Sequence, residues 1–138
     1  AVFGEGLVAE AGYEGRGGDR GRLGFLLSRT KMLLRTALNA VLDVRVHTRG
    51  LSESEAMALL TGPGFQEDGE AAGKWRRALL THGQLTTYFV GHTEVSRLDA
   101  DVALARPAWT ARQRHDAMLA HGSPGPRHLR ALLDLPPA

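Results

Sequence analysis

Asp43 and His47 have the residue types and the spacing of a hydrogen-bonded catalytic or binding pair. They stand four positions apart in a helical pattern, so they share one face of the predicted helix and can hydrogen-bond. A carboxylate in that position fixes the tautomer and the orientation of an imidazole ring. The same spacing also suits a structural pair at a helix end, where a histidine cation complements the helix dipole. Both interpretations stand at this point.

Glu5 is a carboxylate between two glycines in an otherwise apolar first helix. Glycine inside a helix costs about 1 kcal/mol relative to alanine, so Gly4 and Gly6 indicate that another group approaches the backbone closely. An exposed glutamate on a frayed N-terminus is the alternative interpretation.

Gln84 and Tyr88 form the third polar group, at the start of a predicted apolar helix. Their spacing of four positions makes the two side chains point together. A tyrosine hydroxyl that faces a cleft can donate a hydrogen bond to a developing oxyanion. A buried tyrosine that bonds to a neighbouring group explains the same residue.

The histidines do not form a recognisable zinc motif. Six are present, and none belongs to an HExxH pair, the spacing that places two imidazoles on one helix face around zinc. We expect His115, His121 and His128 to be solvated surface residues. Phosphate-loop, dinucleotide-binding and GxSxG sequences are also absent from the sequence.

The elements that position these groups are predicted to be helices throughout, since apolar residues recur at spacings of three and four. The predicted helices cover about 2–13, 19–48, 53–60, 68–81, 84–105, 110–121 and 127–133. Asp19 is the expected N-cap of the second helix, and Ser52–Glu55 and Thr110–Gln113 have capping-box spacing. The second helix has two adjoining apolar stripes, which predicts neighbours on more than one side. The fold class is therefore all-α, with about seven helices around a long central helix in a single domain, 1–138.

Composition and charge exclude several classes of protein. The 138 residues contain no cysteine, which excludes disulfides, thiolate zinc fingers and a cysteine nucleophile. No apolar run reaches the roughly 20 residues of a membrane span, and no signal peptide is visible. The net charge is +2 and the arginines are scattered among acidic residues, a pattern that does not favour nucleic acid as a partner. The first residue, Ala1, suits a processed product or a fragment.

Four segments in order resemble the C-terminal part of the bacterial family catalogued as domain of unknown function 885. The segments are Glu5–Val8, Val41–Ala56, His82–Gly91 and Arg114–Pro124. They follow the family's E-G-W-A, its helix ending D-T-G-I-H, its P-G-Q-A-x-x-Y stretch and its closing F-H-D. Leu7 and Leu51 replace motif tryptophans, and His82 replaces the motif proline.

The resemblance implies a mostly helical zinc metallopeptidase of the gluzincin type, of which this chain is a C-terminal piece. Glu5 falls on the position of the third zinc ligand, with two histidines expected from an HExxH helix upstream. Asp43, His47 and Tyr88 match residues of the catalytic cleft, and Gln84 matches a substrate-binding position. The implied cofactor is zinc in the intact protein, because catalytic zinc needs three protein ligands and this chain offers one. We therefore expect the chain alone to be inactive.

Two further functions stay open from the sequence. A helical interaction module that has lost catalysis would use the same fold to bind a partner. A basic helical nucleic-acid binder is the weaker alternative. For the peptidase, the expected partners are the upstream part of the same protein and a peptide substrate, and no location in the cell is predicted.

Overall fold

The computed structural model describes residues 2–13 and 17–137, and these residues form seven helices. The helices are α1 (Val2–Glu10), α2 (Gly18–Arg49), α3 (Glu53–Thr61), α4 (Asp68–Leu80), α5 (Thr87–Ala105), α6 (Ala111–Leu119) and α7 (Pro126–Leu132). No strand occurs within the described ranges. The predicted all-α class and the number of helices are confirmed.

Local sequence signals fix several helix ends as expected. The Ser52 hydroxyl accepts a hydrogen bond from the Glu55 backbone N–H, and the Glu55 carboxylate accepts one from the Ser52 N–H, at the start of α3. Thr110 and Gln113 make the same reciprocal pair at the start of α6. Gly50 ends α2 in the left-handed conformation, with φ of 63°. These ends depend only on residues a few positions apart.

Two predicted ends near the N-terminus are wrong. Helix α1 ends at Glu10 rather than at Tyr13, because Gly12 adopts φ of 81° and the N–H groups of Gly12 and Tyr13 turn back to the carbonyls of Ala9 and Val8. This pattern of bonds is a Schellman motif, which terminates a helix. The N-cap of α2 is Gly17, without a side-chain hydrogen bond, and Asp19 lies inside the first helical turn.

Helix α2 is buried along only its C-terminal half. Its buried residues are Asn39, Ala40, Leu42 and Asp43, whereas Leu23 and Leu27 near its start are 67% and 72% exposed. Contacts with α3 and α4 cover the helix on the buried side. The two apolar stripes predicted neighbours on more than one side of the helix. Towards its N-terminal half, Arg29 lies beside Gly6 of α1, and the Phe25 ring contacts the Tyr13 ring with centroids 5.4 Å apart.

The first of two compact units comprises residues 1–90 and has a core around Leu42 and Trp75. The core consists of Leu42, Ala56, Leu60, Ala71, Trp75, Ala78 and Leu85. It joins α2, α3 and α4 to the segment before α5. Small alanines on α3 and α4 let these helices pack closely against α2 and against each other.

The second unit comprises residues 91–138 and has its own core. Its buried residues are Leu98, Val102, Met118, Leu129 and Leu135, from α5, α6, α7 and the segment after α7. The boundary between the units falls within α5. The single domain expected over 1–138 stays a prediction.

Among the described residues, no helix combines the length and the apolar composition that crossing a membrane requires.

Candidate functional site

The first unit holds a buried carboxylate, Asp43, whose side chain is 2% exposed. One oxygen, Oδ1, accepts a hydrogen bond from the Gly83 N–H at 3.3 Å. The other, Oδ2, accepts from the N–H groups of Leu85 at 3.0 Å and Thr86 at 3.3 Å. A buried charge is tolerated only where such bonds replace its lost hydration. The three bonds make Asp43 the anchor of the segment 83–86.

Asp43 binds the turn that precedes α5, which begins at Thr87. The N–H groups of Leu85 and Thr86 are already bound to Asp43. Gly83 takes φ of 69°, which turns the chain before the helix and suits a residue without a side chain. The predicted start was three residues early, because the Thr87 N–H bonds to the Gln84 carbonyl three positions back and residues 84–86 form a turn instead of an α-helical turn.

His47 is oriented by Asp43 through a single ring nitrogen. Its Nδ1 lies 2.8 Å from the Asp43 carbonyl oxygen and 3.1 Å from Asp43 Oδ1. Both oxygens are acceptors, so Nδ1 carries the proton, and in the neutral ring Nε2 has the free lone pair. Nε2 makes no hydrogen bond with the described residues. The predicted pair is therefore formed, with one nitrogen fixed and the other open to a ligand.

The ring of His82 packs against the ring of His47. The ring centroids are 3.9 Å apart, and the planes are tilted by 55°. Two imidazoles that bind one metal ion through bonds of about 2 Å have centroids farther apart than this. The contact is therefore packing, and it holds the His47 ring from a second side. In the sequence, His82 is marked only by its departure from a motif.

The Gln84 side chain is held by Arg77, a residue that no sequence pattern had singled out. Its Oε1 accepts hydrogen bonds from Arg77 Nε at 3.1 Å and Nη2 at 3.0 Å. Gln84 precedes α5 and Tyr88 lies inside it, so the two residues do not share one helix, and the expected pairing of their side chains stays a prediction. Arg77 and Gln84 are seven positions apart and belong to different elements, so no helical periodicity in the sequence indicates their contact.

Tyr88 and Glu5 are exposed and are not joined to this cluster by hydrogen bonds. Tyr88 is 55% exposed, and neither side chain makes a hydrogen bond or ion pair with the described residues. Beside Glu5, an added Cβ at Gly6 would lie 2.9 Å from Arg29 Nη2. The expected close approach to the backbone is present at Gly6, and the approaching group is an arginine.

The described residues do not by themselves fit a zinc site. Among them, no group of three or more histidine, aspartate, glutamate or cysteine side chains could hold a metal ion. Catalytic zinc needs three protein ligands, so Glu5 alone cannot hold it.

Lys74, on α4, lies close to two other positively charged side chains, Arg35 and Arg77. Burial lowers the pKa of Lys74, and repulsion from Arg35 and Arg77 lowers it further. Arg35 is paired with Glu70, whereas Lys74 makes no ion pair with the described residues. The surroundings of Lys74 in the folded protein therefore disfavour its charged form.

Of the three histidines expected to be solvated, His115 is not. Its Nε2 lies 3.3 Å from Asp99 Oδ1, and the side chain is 20% exposed. Arg114 Nε binds the same oxygen at 3.1 Å, which places two basic groups on one carboxylate in the second unit. His121 and His128 are exposed, as predicted.

Comparison with known proteins places the chain in a family. The profile of Bacterial protein of unknown function (DUF885) matches residues 1–133, nearly the whole chain. The chain belongs to this family. No curated protein matches its sequence.

A solved structure is similar to this member of the DUF885 family across almost its entire length. It is described as "a putative lipoprotein of unknown function from Shewanella oneidensis". The two are 31% identical, with a TM-score of 0.84 over 96% of this chain. The match covers 23% of the other chain, so this chain spans about a quarter of that protein's length.

Proposed function

We propose that this chain is the C-terminal helical part of a zinc-dependent, peptidase-like hydrolase, and that His47 faces the substrate. The observation that carries the proposal is the orientation of His47, whose Nδ1 is fixed by Asp43 while Nε2 makes no hydrogen bond with the described residues. Fixing one nitrogen with a buried carboxylate is the arrangement by which enzymes position a catalytic imidazole.

In this proposal His47 exchanges hydrogen bonds with the reacting group through Nε2. A neutral ring accepts a proton there, and a protonated ring donates to an oxyanion. Asp43 is a positioning residue, because its oxygens are already occupied by His47 and the backbone of 83–86. The exposed Tyr88 hydroxyl supplies a second donor.

Gln84 is proposed to bind the substrate backbone. Arg77 occupies its oxygen, so the amide NH₂ group is left to donate to a peptide carbonyl. A peptide is therefore the substrate class that fits the polar groups of the segment.

Zinc is proposed as the cofactor of the complete polypeptide, with Glu5 as one ligand. The two remaining protein ligands would come from an HExxH helix in the upstream part of the same protein. When bound, zinc supplies a Lewis acid that polarises a carbonyl. We derive no catalytic step through the ion, since this chain contributes one ligand at most.

The test compares three variants and one control variant of the complete polypeptide. Glu5→Gln is expected to lower both zinc content and peptide hydrolysis, whereas Glu10→Gln, a control on the same helix, changes neither. His47→Ala and Tyr88→Phe are expected to retain zinc and lower turnover by about 10²–10³, as loss of one oxyanion donor does. Unchanged zinc content in Glu5→Gln would remove Glu5 from the site.

A non-catalytic interaction module is the second candidate, and the exposed start of α2 favours it. Leu23 and Leu27 are large apolar side chains that lie open to solvent, and such residues in a group mark protein-binding surfaces. If the complete polypeptide hydrolyses no member of a peptide library, this candidate replaces the hydrolase.

A further inference from the structure

A cavity of about 740 Å³ lies within the second unit, between α5 and the C-terminal segment that includes α7. Its apolar lining includes Leu98, Ala131 and Leu135. Its charged lining consists of Arg97, Arg127, Arg130, Glu94 and Asp101. The volume falls in the range of sites that bind small organic molecules.

Two of the three arginines in the lining are already neutralised. Arg97 Nη1 lies 3.1 Å from Glu94 Oε1. Arg130 binds Asp101, and its Nη1 also donates to the Pro136 carbonyl at 2.8 Å. Their positive charges are thus matched within the cavity wall.

Among the described residues of the lining, Arg127 is the cation without a carboxylate partner. It makes neither an ion pair nor a hydrogen bond with the described residues. The described residues of the lining include three arginines and two carboxylates, which together carry one net positive charge. A free guanidinium presents paired donors that match a carboxylate.

We propose that this cavity binds a monoanionic carboxylate with an apolar body, with Arg127 holding the carboxylate. One net positive charge balances the single negative charge of a monoanion. A dianion such as phosphate would leave one negative charge unbalanced beside Glu94 and Asp101. The apolar body would lie against Leu98 and Leu135. This binding does not depend on the proposed hydrolase.

Two sources can supply this chemistry, a fatty acid or the carboxyl-terminal end of a peptide. The experiment is calorimetric titration of the complete polypeptide with octanoate and with N-acetyl-leucyl-leucine, each beside its neutral amide. We expect at least one acid to bind with a Kd of about 0.1–1 mM, and its amide to bind about tenfold more weakly or worse. Binding of octanoate alone identifies a fatty acid, and binding of the dipeptide alone identifies a peptide end.

Three variants locate the site. Arg127→Gln is expected to weaken binding of the acid about tenfold and to leave binding of the amide unchanged. Arg112→Gln, at an exposed arginine of α6 outside the cavity, serves as the matched control. Ala131→Trp fills the cavity from an exposed position, so it should abolish binding while circular dichroism retains the helical signal.

Equal affinity for acid and amide, an unchanged Arg127→Gln variant, or no binding of either acid would each overturn the proposal.

Discussion

Asp43 is the residue on which the geometry of the candidate site depends. It accepts three backbone hydrogen bonds and also binds His47, so one buried carboxylate sets both the turn before α5 and the orientation of an imidazole. Charge-assisted bonds in a buried place are stronger than neutral ones. A change at this residue therefore affects the fold and the site together.

Asp43→Asn is expected to lower the free energy of unfolding by about 1.5–3 kcal/mol. The amide NH₂ group of asparagine cannot accept the backbone N–H bonds that a carboxylate oxygen accepts, so at least one donor loses its partner. Urea denaturation followed by circular dichroism measures the loss. Asp116→Asn, at an exposed aspartate of α6, should stay within about 0.5 kcal/mol of the parent protein. Equal stability of the two variants would contradict the role of Asp43.

Lys74 gives a prediction of pH dependence. Its pKa is lowered from the ordinary value of 10.5, so the folded state holds this proton less well than the unfolded state does. The charge opposes folding at neutral pH, and the opposition disappears as the pH rises from the lowered pKa through 10.5. Lys74→Met is therefore expected to raise the urea midpoint at pH 7, with a gain that shrinks towards pH 10.5.

Lys31→Met is the matched control, since Lys31 is the chain's other lysine and is exposed. A gain of the same size in both variants would show that the effect does not come from the surroundings of Lys74.

At the scale of elements, the sequence predicted the helices well and their distant contacts poorly. Ser52, Thr110 and Gly50 marked helix ends correctly, because capping involves atoms within a few residues. The predicted start of α5 was three residues early, because residues 84–86 form a turn before the helix, and Asp43 binds that turn from a different helix. The Asp43–His47 pair was predictable from its spacing, whereas the contacts of His82 and Arg77 had no such signal.

Ser52→Ala tests the capping box of α3. Removing the hydroxyl leaves the Glu55 N–H without its acceptor, which is expected to cost about 1 kcal/mol in urea denaturation. Ser123→Ala, in the exposed segment before α7, should have no measurable effect. A loss of equal size at both serines would mean that the cap does not stabilise α3.

The two halves of α2 should respond differently to the same substitution. Leu42 is fully buried in the first core, and Leu42→Ala is expected to cost about 2–5 kcal/mol. Leu27→Ala removes an exposed side chain and should change stability by no more than about 0.5 kcal/mol. Denaturant melts of both variants make the comparison. A large loss in Leu27→Ala would show that the start of α2 is covered in solution.

At the scale of the whole molecule, each unit contains its own core and its own candidate site. The first has the Asp43–His47 pair beside a core from α2, α3 and α4, and the second has the Arg127 cavity beside the core of Leu98 and Leu135. The chain of the similar structure from Shewanella oneidensis is about four times as long as the part that this chain matches. Neither the cavity nor the extent of each core could be predicted from the sequence, because both arise from contacts between distant helices.

The uneven burial of α2 also has a consequence for how the helix opens. At about 1.5 Å per residue, its 32 residues span roughly 48 Å, and its buried residues all lie between Asn39 and Asp43. Amides of a helix segment that lacks tertiary contacts exchange with solvent through local fraying. Amides in a buried segment exchange only when a larger part of the protein unfolds. We expect amide hydrogen exchange to be fast over residues 20–30 and slowest over residues 39–46, and Asp43→Asn to accelerate the slow group alone. Uniform exchange along the helix would mean that the whole of α2 unfolds as one cooperative unit.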